Sequence, residues 1–468
     1  MLLSSSAYFV FLVFIFLLYW PLSRQRALAL GVILFANYFF YAKWDVFYLF
    51  LIPAASTLDF LFGYGIGLAK ARWQRRVFLG LSLALNLGLL ASLKYMPFIL
   101  ENYAYFAGVK QPAWQWSFPL GISFYCFQAL TYTIDIYRRD AQPAKSYLAY
   151  LAAVSFFPTT LAGPITRVAA LLPQLEKRTM ISAEDGGRAL FRIGLGLMKK
   201  LLVADYLAAN LVNRVFDFPN LYSATEVLVG VYAYAFQLYF DFSGYTDIAI
   251  GSALLLGLKL PENFRMPYAA ENIAEFWRRW HISLSNWLRD YLYFSLPGLR
   301  SPKKVFLYLN LILTMVIGGL WHGPNWTFVI WGLLHGCALA VVRYGQHIRG
   351  PAKPNPAWWA RAGRIFVTFH FVCFSWIFFR ASSLSNALEV LSRLSSATLA
   401  FANLTGPIVI ILLLAMLGHY TPERWFRRLD QLFVRSPFFV QAAAMALLLL
   451  AIHYVATKDV APFIYTKF

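Results

Sequence analysis

Charge is what this chain has least of. Asp, Glu, Lys and Arg make up 13% of its 468 residues while hydrophobic residues make up 60%, against about a quarter charged in an ordinary soluble domain. Too few charged side chains remain to cover a compact soluble fold of this length, so that class is excluded. Cysteine is also scarce: Cys126, Cys337 and Cys373 all sit in apolar runs. This excludes a disulfide framework and a Cys-rich metal centre. No His-x-x-x-His pair occurs, so metal binding is not expected. Acidic residues number 21 against 41 basic ones, a formal charge of +20. In a soluble protein that excess would suggest nucleic acid, but here the basic residues cluster just outside apolar runs, as at Lys70, Arg72, Arg75 and Arg76. That pattern belongs to the cytoplasmic ends of membrane spans, and no nucleic-acid partner is expected. Fixed-period repeats and low-complexity tracts are absent too.

What is present is a succession of apolar runs. At 1.5 Å per residue a span needs about 20 residues. The candidates are 7–22, 27–42, 46–68, 77–99, 118–137, 201–217, 226–258, 305–320, 326–342, 364–380, 405–420 and 437–457. The first, followed by Arg24 and Arg26 rather than a small-residue cleavage site, reads as a retained span. Basic clusters at 70–76, at Arg138, Arg139 and Lys145, at 343–364 and at 424–435 are expected in the cytoplasm, with 381–404 outside, since Arg393 is its sole basic residue. Alternation then requires 147–166, with Pro158, Gly163 and Pro164, to dip in and return as a re-entrant hairpin. The run 226–258 is long enough to be broken at Gly244. The longest interruption, 261–304, holds Arg265, Arg278, Arg279, Arg289, Arg300, Lys303 and Lys304 and is expected to be cytoplasmic. Within it Trp277, Trp280, Leu284, Trp287 and Tyr291 recur every three or four residues, as on the indole-rich face of an interfacial amphipathic helix.

Ionisable side chains inside apolar spans are functional candidates because an unpaired one costs several kcal/mol. Here they are His322, His335, Asp59, Asp135, Asp241 and Asp247, with His281 in the interfacial segment. His322 stands in Gly318-Gly319-Leu320-Trp321-His322-Gly323-Pro324-Asn325-Trp326. The glycines and proline are expected to interrupt the helix and leave the imidazole beside open backbone, where it can take a proton from a hydroxyl nucleophile. A histidine that only bridges two helices is the competing reading. Around His281, interleaved Trp277, Arg278, Arg279 and Trp280 with Asn286 nearby could hold the phosphates and ring of a cytoplasmic donor, or simply anchor an interfacial helix. Asp241, Ser243 and Asp247 could line a polar path, or the carboxylates could pair with a buried Arg or a Tyr hydroxyl and hold helices together.

Several of these strings together resemble the membrane-bound O-acyltransferase superfamily, in the bacterial branch that includes the alginate O-acetylation protein. They are Phe118-Pro119-Leu120-Gly121-Ile122-Ser123-Phe124-Tyr125 with Tyr132-Thr133-Ile134-Asp135, Ala162-Gly163-Pro164-Ile165, Asp241 to Asp247, Trp277 to Tyr293, and Trp321-His322-Gly323. The resemblance implies one all-α integral-membrane domain over 1–468, with about 11–13 spans plus re-entrant and interfacial helices around a central tunnel. It implies His322 as the catalytic histidine and His281 as a second polar position. Trp277, Arg278, Arg279, Trp280, Asn286, Trp321 and Asn325 are then expected at the donor and substrate, and Asp241, Ser243 and Asp247 as structural or tunnel-lining groups. No permanently bound cofactor is implied; the donor is an acyl thioester such as acetyl-coenzyme A. The expected setting is the bacterial inner membrane, among its lipids. There the acetyl group passes to an extracytoplasmic SGNH-type partner and onto a polysaccharide. A lipid, teichoic-acid or lipoprotein acceptor would share this chemistry. A secondary transporter would rest on the four aspartates and on internal pseudo-symmetry, which the sequence does not show.

Overall fold

The computed structural model describes residues 2–43, 46–114, 121–160, 163–177, 180–299, 303–350 and 357–455. Phe118, Pro119, Leu120, Ala162 and Arg300, named above, lie outside them. Among the described residues there is no strand. Apolar runs can span a bilayer only if every backbone group is bonded within its own segment, and a helix does this. Among the described residues, five helices are long and apolar enough to cross a membrane: Leu49–Leu68, Arg72–Ala107, Val305–His322, Trp326–Ile348 and Trp358–Arg380. The bent pair Gly406–Tyr420 and Glu423–Arg435 makes a sixth if taken as one span, and Ser6–Leu22, Arg26–Ala42 and Phe438–Tyr454 are shorter apolar helices. The remaining expected runs take other forms. Residues 118–137 become Ile122–Arg138, buried over most of its length. Residues 201–217 are not one span but alternating short α- and π-helical turns from Met198 to Asp217.

The chain divides into two compact units, one of residues 1–193 and 246–261, the other of 194–245 and 262–468. In the first, polar side chains tie three helices. Ser82 Oγ donates to Asp59 Oδ1 at 2.6 Å, Asn86 Nδ2 donates to Asp59 Oδ2 at 2.8 Å, and Ser82 and Thr133 hydroxyls meet at 2.8 Å. Asp59 is therefore held by its neighbours as a structural tie. The stretch expected to turn back on itself is broken into Tyr147–Val154 and Phe157–Thr160. Its freed backbone groups find partners: Gln128 Nε2 donates to Ala153 O, Asn37 Nδ2 to Ala152 O, and Phe157 N–H to Asn37 Oδ1. Buried irregular backbone is tolerated on that condition.

In the second unit, Val305–His322 and Trp326–Arg349 form a tight hairpin. A Cβ on Gly319 would lie 2.2 Å from Phe328 O, one on Gly332 2.4 Å from Met315 O, and one on Gly336 2.6 Å from Ile312 Cα. The two backbones approach so closely because these residues lack side chains. Gly318–Gly319 is thus a packing surface and not the helix break expected from the sequence. The same holds for Gly244. Helix Ala224–Leu255 runs through it unbroken, and a Cβ there would lie 2.7 Å from Gly196 O.

Candidate active site

His322 is the last residue of Val305–His322. The chain then turns through Gly323 and Pro324, and Asn325 caps the next helix, its Oδ1 accepting from Thr327 N–H at 3.0 Å. Gly323 is required because a Cβ would fall 2.3 Å from the Phe328 ring. This turn leaves His322 3% exposed at a helix end rather than in mid-helix. Its ring lies 5.2 Å from Trp331 at 90°, 5.1 Å from Phe379 and 5.1 Å from Trp321. An aromatic enclosure of this kind excludes water and strengthens any electrostatic interaction made inside it.

His281 is brought to the same place from 41 positions earlier in the sequence. The Trp321 indole lies 5.1 Å from His322 and 6.3 Å from His281. The indole-rich segment is not the continuous interfacial helix that its spacing suggests. It splits into Ile273–Arg279 and Ile282–Trp287, with His281 between them in left-handed conformation at φ 42°. A non-glycine residue there carries strain of about 1–3 kcal/mol and persists only when its surroundings hold it. Asn263 does so: its Oδ1 accepts from Ser283 N–H at 3.0 Å, from Ser283 Oγ at 2.9 Å and from His281 Nδ1 at 3.2 Å, and its carbonyl accepts from Ile282 N–H. An amide oxygen only accepts, so Nδ1 carries the hydrogen and Nε2 is the basic nitrogen. Burial holds the His281 imidazole down at about 3, so it is neutral near pH 7.

His335 is placed one aromatic ring beyond His322, 4.8 Å from Trp331. Its partners fix its tautomer. Trp277 Nε1–H donates to Nδ1 at 3.3 Å, so Nε2 carries the hydrogen and donates to Ser375 Oγ at 2.8 Å, whose hydroxyl donates to Val372 O. Both ring nitrogens are used in bracing helices, and His335 has no proton to exchange without breaking a bond.

The other site residues divide by burial. Trp277 and Trp280 are buried, Trp280 stacked 5.7 Å from Phe276. Both indoles pack inward against the protein. Arg278 and Asn286 are exposed, and Arg279 is half-buried and paired with Glu275. Asp241 Oδ1 meets Lys200 Nζ at 2.8 Å, and Lys200 meets Asp205 at 2.7 Å, all three buried. Asp247 pairs with Arg192 at 2.6 Å. Six residues apart on one helix, the two carboxylates point about 120° apart. Ser243 is buried beside them in sequence.

Lys200, Asp205 and Arg192 escaped the sequence reading, although Lys199-Lys200 ahead of an apolar run was a visible signal. In an α-helix Lys200 and Asp205 would point to different sides, and the π-helical turn Met198–Ala204 brings them together. Glu226 was also missed. Its carboxylate accepts from Ser223 N–H and Oγ, and from Asn403 N–H and Nδ2, tying the segment after Leu384–Ser395 to the start of Ala224–Leu255. A Ser-x-x-Glu string is the sequence mark of such a cap.

A family model for membrane-bound O-acyltransferases matches residues 137–384, the stretch that carries both histidines. The chain is 40% identical over 432 residues to a protein of Pseudomonas aeruginosa named probable alginate O-acetylase AlgI, covering 89% of this chain and 80% of the relative. It is 37% identical over 385 residues to the peptidoglycan O-acetyltransferase of Helicobacter pylori, covering 76% and 72%. With the teichoic acid D-alanyltransferase of Bacillus subtilis it shares 30% identity over 279 residues, 56% of this chain and 68% of that one. An all-helical fold with several apolar spans and similarity over most of the chain lead to one assignment: the protein belongs to the membrane-bound O-acyltransferase family and is a multi-pass membrane O-acyltransferase.

Proposed function

We propose that the protein moves an acetyl group from a cytoplasmic thioester, of the acetyl-coenzyme A class, to a hydroxyl supplied from the outer side of the bacterial inner membrane, for O-acetylation of a polysaccharide. The carrying observation is the placement of His322 at a helix end inside the aromatic enclosure, with His281 near the same Trp321 indole. The hydroxyl oxygen attacks the thioester carbonyl while His322 takes its proton. The tetrahedral intermediate then collapses, the C–S bond breaks, and the proton passes from His322 to the leaving thiolate. No net proton is consumed. His281, neutral and with Nε2 as its hydrogen-bond acceptor, orients a donor. The exposed Arg278 and Asn286 suit the polar end of the donor.

The acceptor reading draws on the names of the relatives, an alginate O-acetylase and a peptidoglycan O-acetyltransferase. The shorter match to a teichoic acid D-alanyltransferase keeps teichoic acid as the alternative acceptor. Delivery by way of an extracytoplasmic SGNH-type partner fits the short segments between helices, since an independent carbohydrate-binding domain needs roughly 50 residues or more. Polymer acetyl content in a deletion strain tests the reading. Restoration by the wild-type chain is expected, and an unchanged polymer carrying D-alanine or no ester at all would refute it.

A further inference from the structure

Helix Glu423–Arg435 has no buried side chain. It nevertheless joins two of the most apolar helices in the chain, Gly406–Tyr420 and Phe438–Val455. It turns 92° away from the first of them. At about 100° per residue its side chains sort into three arcs. Arg424, Arg427, Arg428 and Arg435, with Gln431, occupy one arc of about 100°. Leu432, Trp425 and Leu429 follow directly on the next, and all three are more than half exposed. Phe426, Phe433 and Asp430 form the third, half-buried side. The Arg428 guanidinium lies 5.5 Å from the Trp425 ring centre, where the cationic and apolar arcs meet. Of the two acidic residues in the helix, Glu423 is engaged by Arg265 at 3.7 Å.

We propose that this helix lies in the plane of the membrane surface and binds anionic lipid headgroups. Its Trp425–Leu429–Leu432 arc enters the acyl boundary and its arginines take the phosphates. A right-angle turn at the end of a membrane-inserted helix lays the next helix along the interface. An exposed apolar arc directly beside four arginines has the complementarity of a headgroup above and hydrocarbon below. A soluble protein partner would have to satisfy both arcs at once against a flat lipid surface that already does. This inference goes beyond the acyl-transfer reading and does not depend on it.

The test uses the full-length protein reconstituted in phosphatidylethanolamine vesicles with and without phosphatidylglycerol. Cys337, the exposed native cysteine, is replaced as Cys337→Ser, because Cys126 and Cys373 are buried. A nitroxide at Leu429→Cys should be reached by oxygen and shielded from a water-soluble relaxant, with the reverse at Arg427→Cys. Diazirine-bearing phosphatidylglycerol, supplied equally with diazirine-bearing phosphatidylcholine, should label the 423–435 peptide at least about threefold more. That preference should vanish in high salt and in the variant with all four arginines changed to Gln. The salt arm serves if that variant does not fold. Water access at position 429 would hand this face to a protein partner, and equal labelling by the two lipids in the wild-type protein would reduce it to plain bilayer contact. Either result overturns the proposal.

Discussion

At the scale of the residue, the balance of buried charges gives the sharpest expectations. Lys200 stands between Asp205 and Asp241 and is the cation that the two carboxylates share. Removing the lysine leaves two buried carboxylates together, whereas removing Asp241 leaves a matched pair. Lys200→Met should therefore cost about 3–5 kcal/mol, and Asp241→Asn, whose amide still accepts, under about 1.5 kcal/mol. Thermal unfolding in detergent measures both, and equal losses would show that the cluster is not charge-balanced by Lys200. His281 makes a pH expectation. Its folded pKa of about 3 lies below the ordinary 6.5, so the unfolded chain binds the extra proton. Stability from this group is whole above pH 6.5 and is lost as pH falls toward 3, by about 2 kcal/mol at pH 5. The wild-type protein should melt lower at pH 5 than at pH 7, and His281→Asn should show a smaller difference. An unchanged pH difference in the variant would mean that His281 is not neutral in the fold.

At the scale of the element, glycine decides how closely helices meet. Gly332 packs on the backbone of Met315, while Gly345, on the same helix, has nothing within 4 Å of a built Cβ. Gly332→Ala should destabilise by about 1–3 kcal/mol through overpacking. Gly345→Ala should be neutral or slightly stabilising, since alanine is the better helix former. Parallel melting curves separate the two, and a neutral Gly332→Ala would deny the tight hairpin. Helices were largely legible in the sequence wherever an apolar run was long and flanked by charge, as at 7–22, 27–42 and 305–320. Their interruptions were less so. Pro158 and Gly163 did mark a broken stretch, but Gly244 and Gly318–Gly319 did not. A glycine in an apolar helix signals a break or a close neighbour equally well, and only the neighbour's backbone tells which. The Trp277–Tyr291 spacing described an amphipathic face correctly but not the split into two helices at His281, and that face packs against protein. The Lys200–Asp205 pair was hidden because its five-residue spacing has meaning only in a π-helical turn.

At the scale of the whole molecule, the two histidines 41 positions apart were legible as separate candidates, but their meeting against Trp321 required the fold. The transfer reading also demands a sidedness. Lys303, in the basic segment, should face the cytoplasm and Ser396 the outside. In intact cells carrying Cys337→Ser, a membrane-impermeant thiol reagent should modify Ser396→Cys and spare Lys303→Cys. The reverse pattern would invert the donor and acceptor sides.

The most direct measurement of the central claim is made on purified protein in sealed liposomes with labelled acetyl-coenzyme A inside, and the hydroxyl acceptor with the extracytoplasmic partner outside. The wild-type chain should move label to the outer acceptor. His322→Ala, reconstituted in equal amount and melting normally, should lower that rate by about 10²–10⁴-fold, the range for loss of a general base. Transfer by His322→Ala at the wild-type rate would contradict the account, because the proton would then be leaving the hydroxyl by some other group.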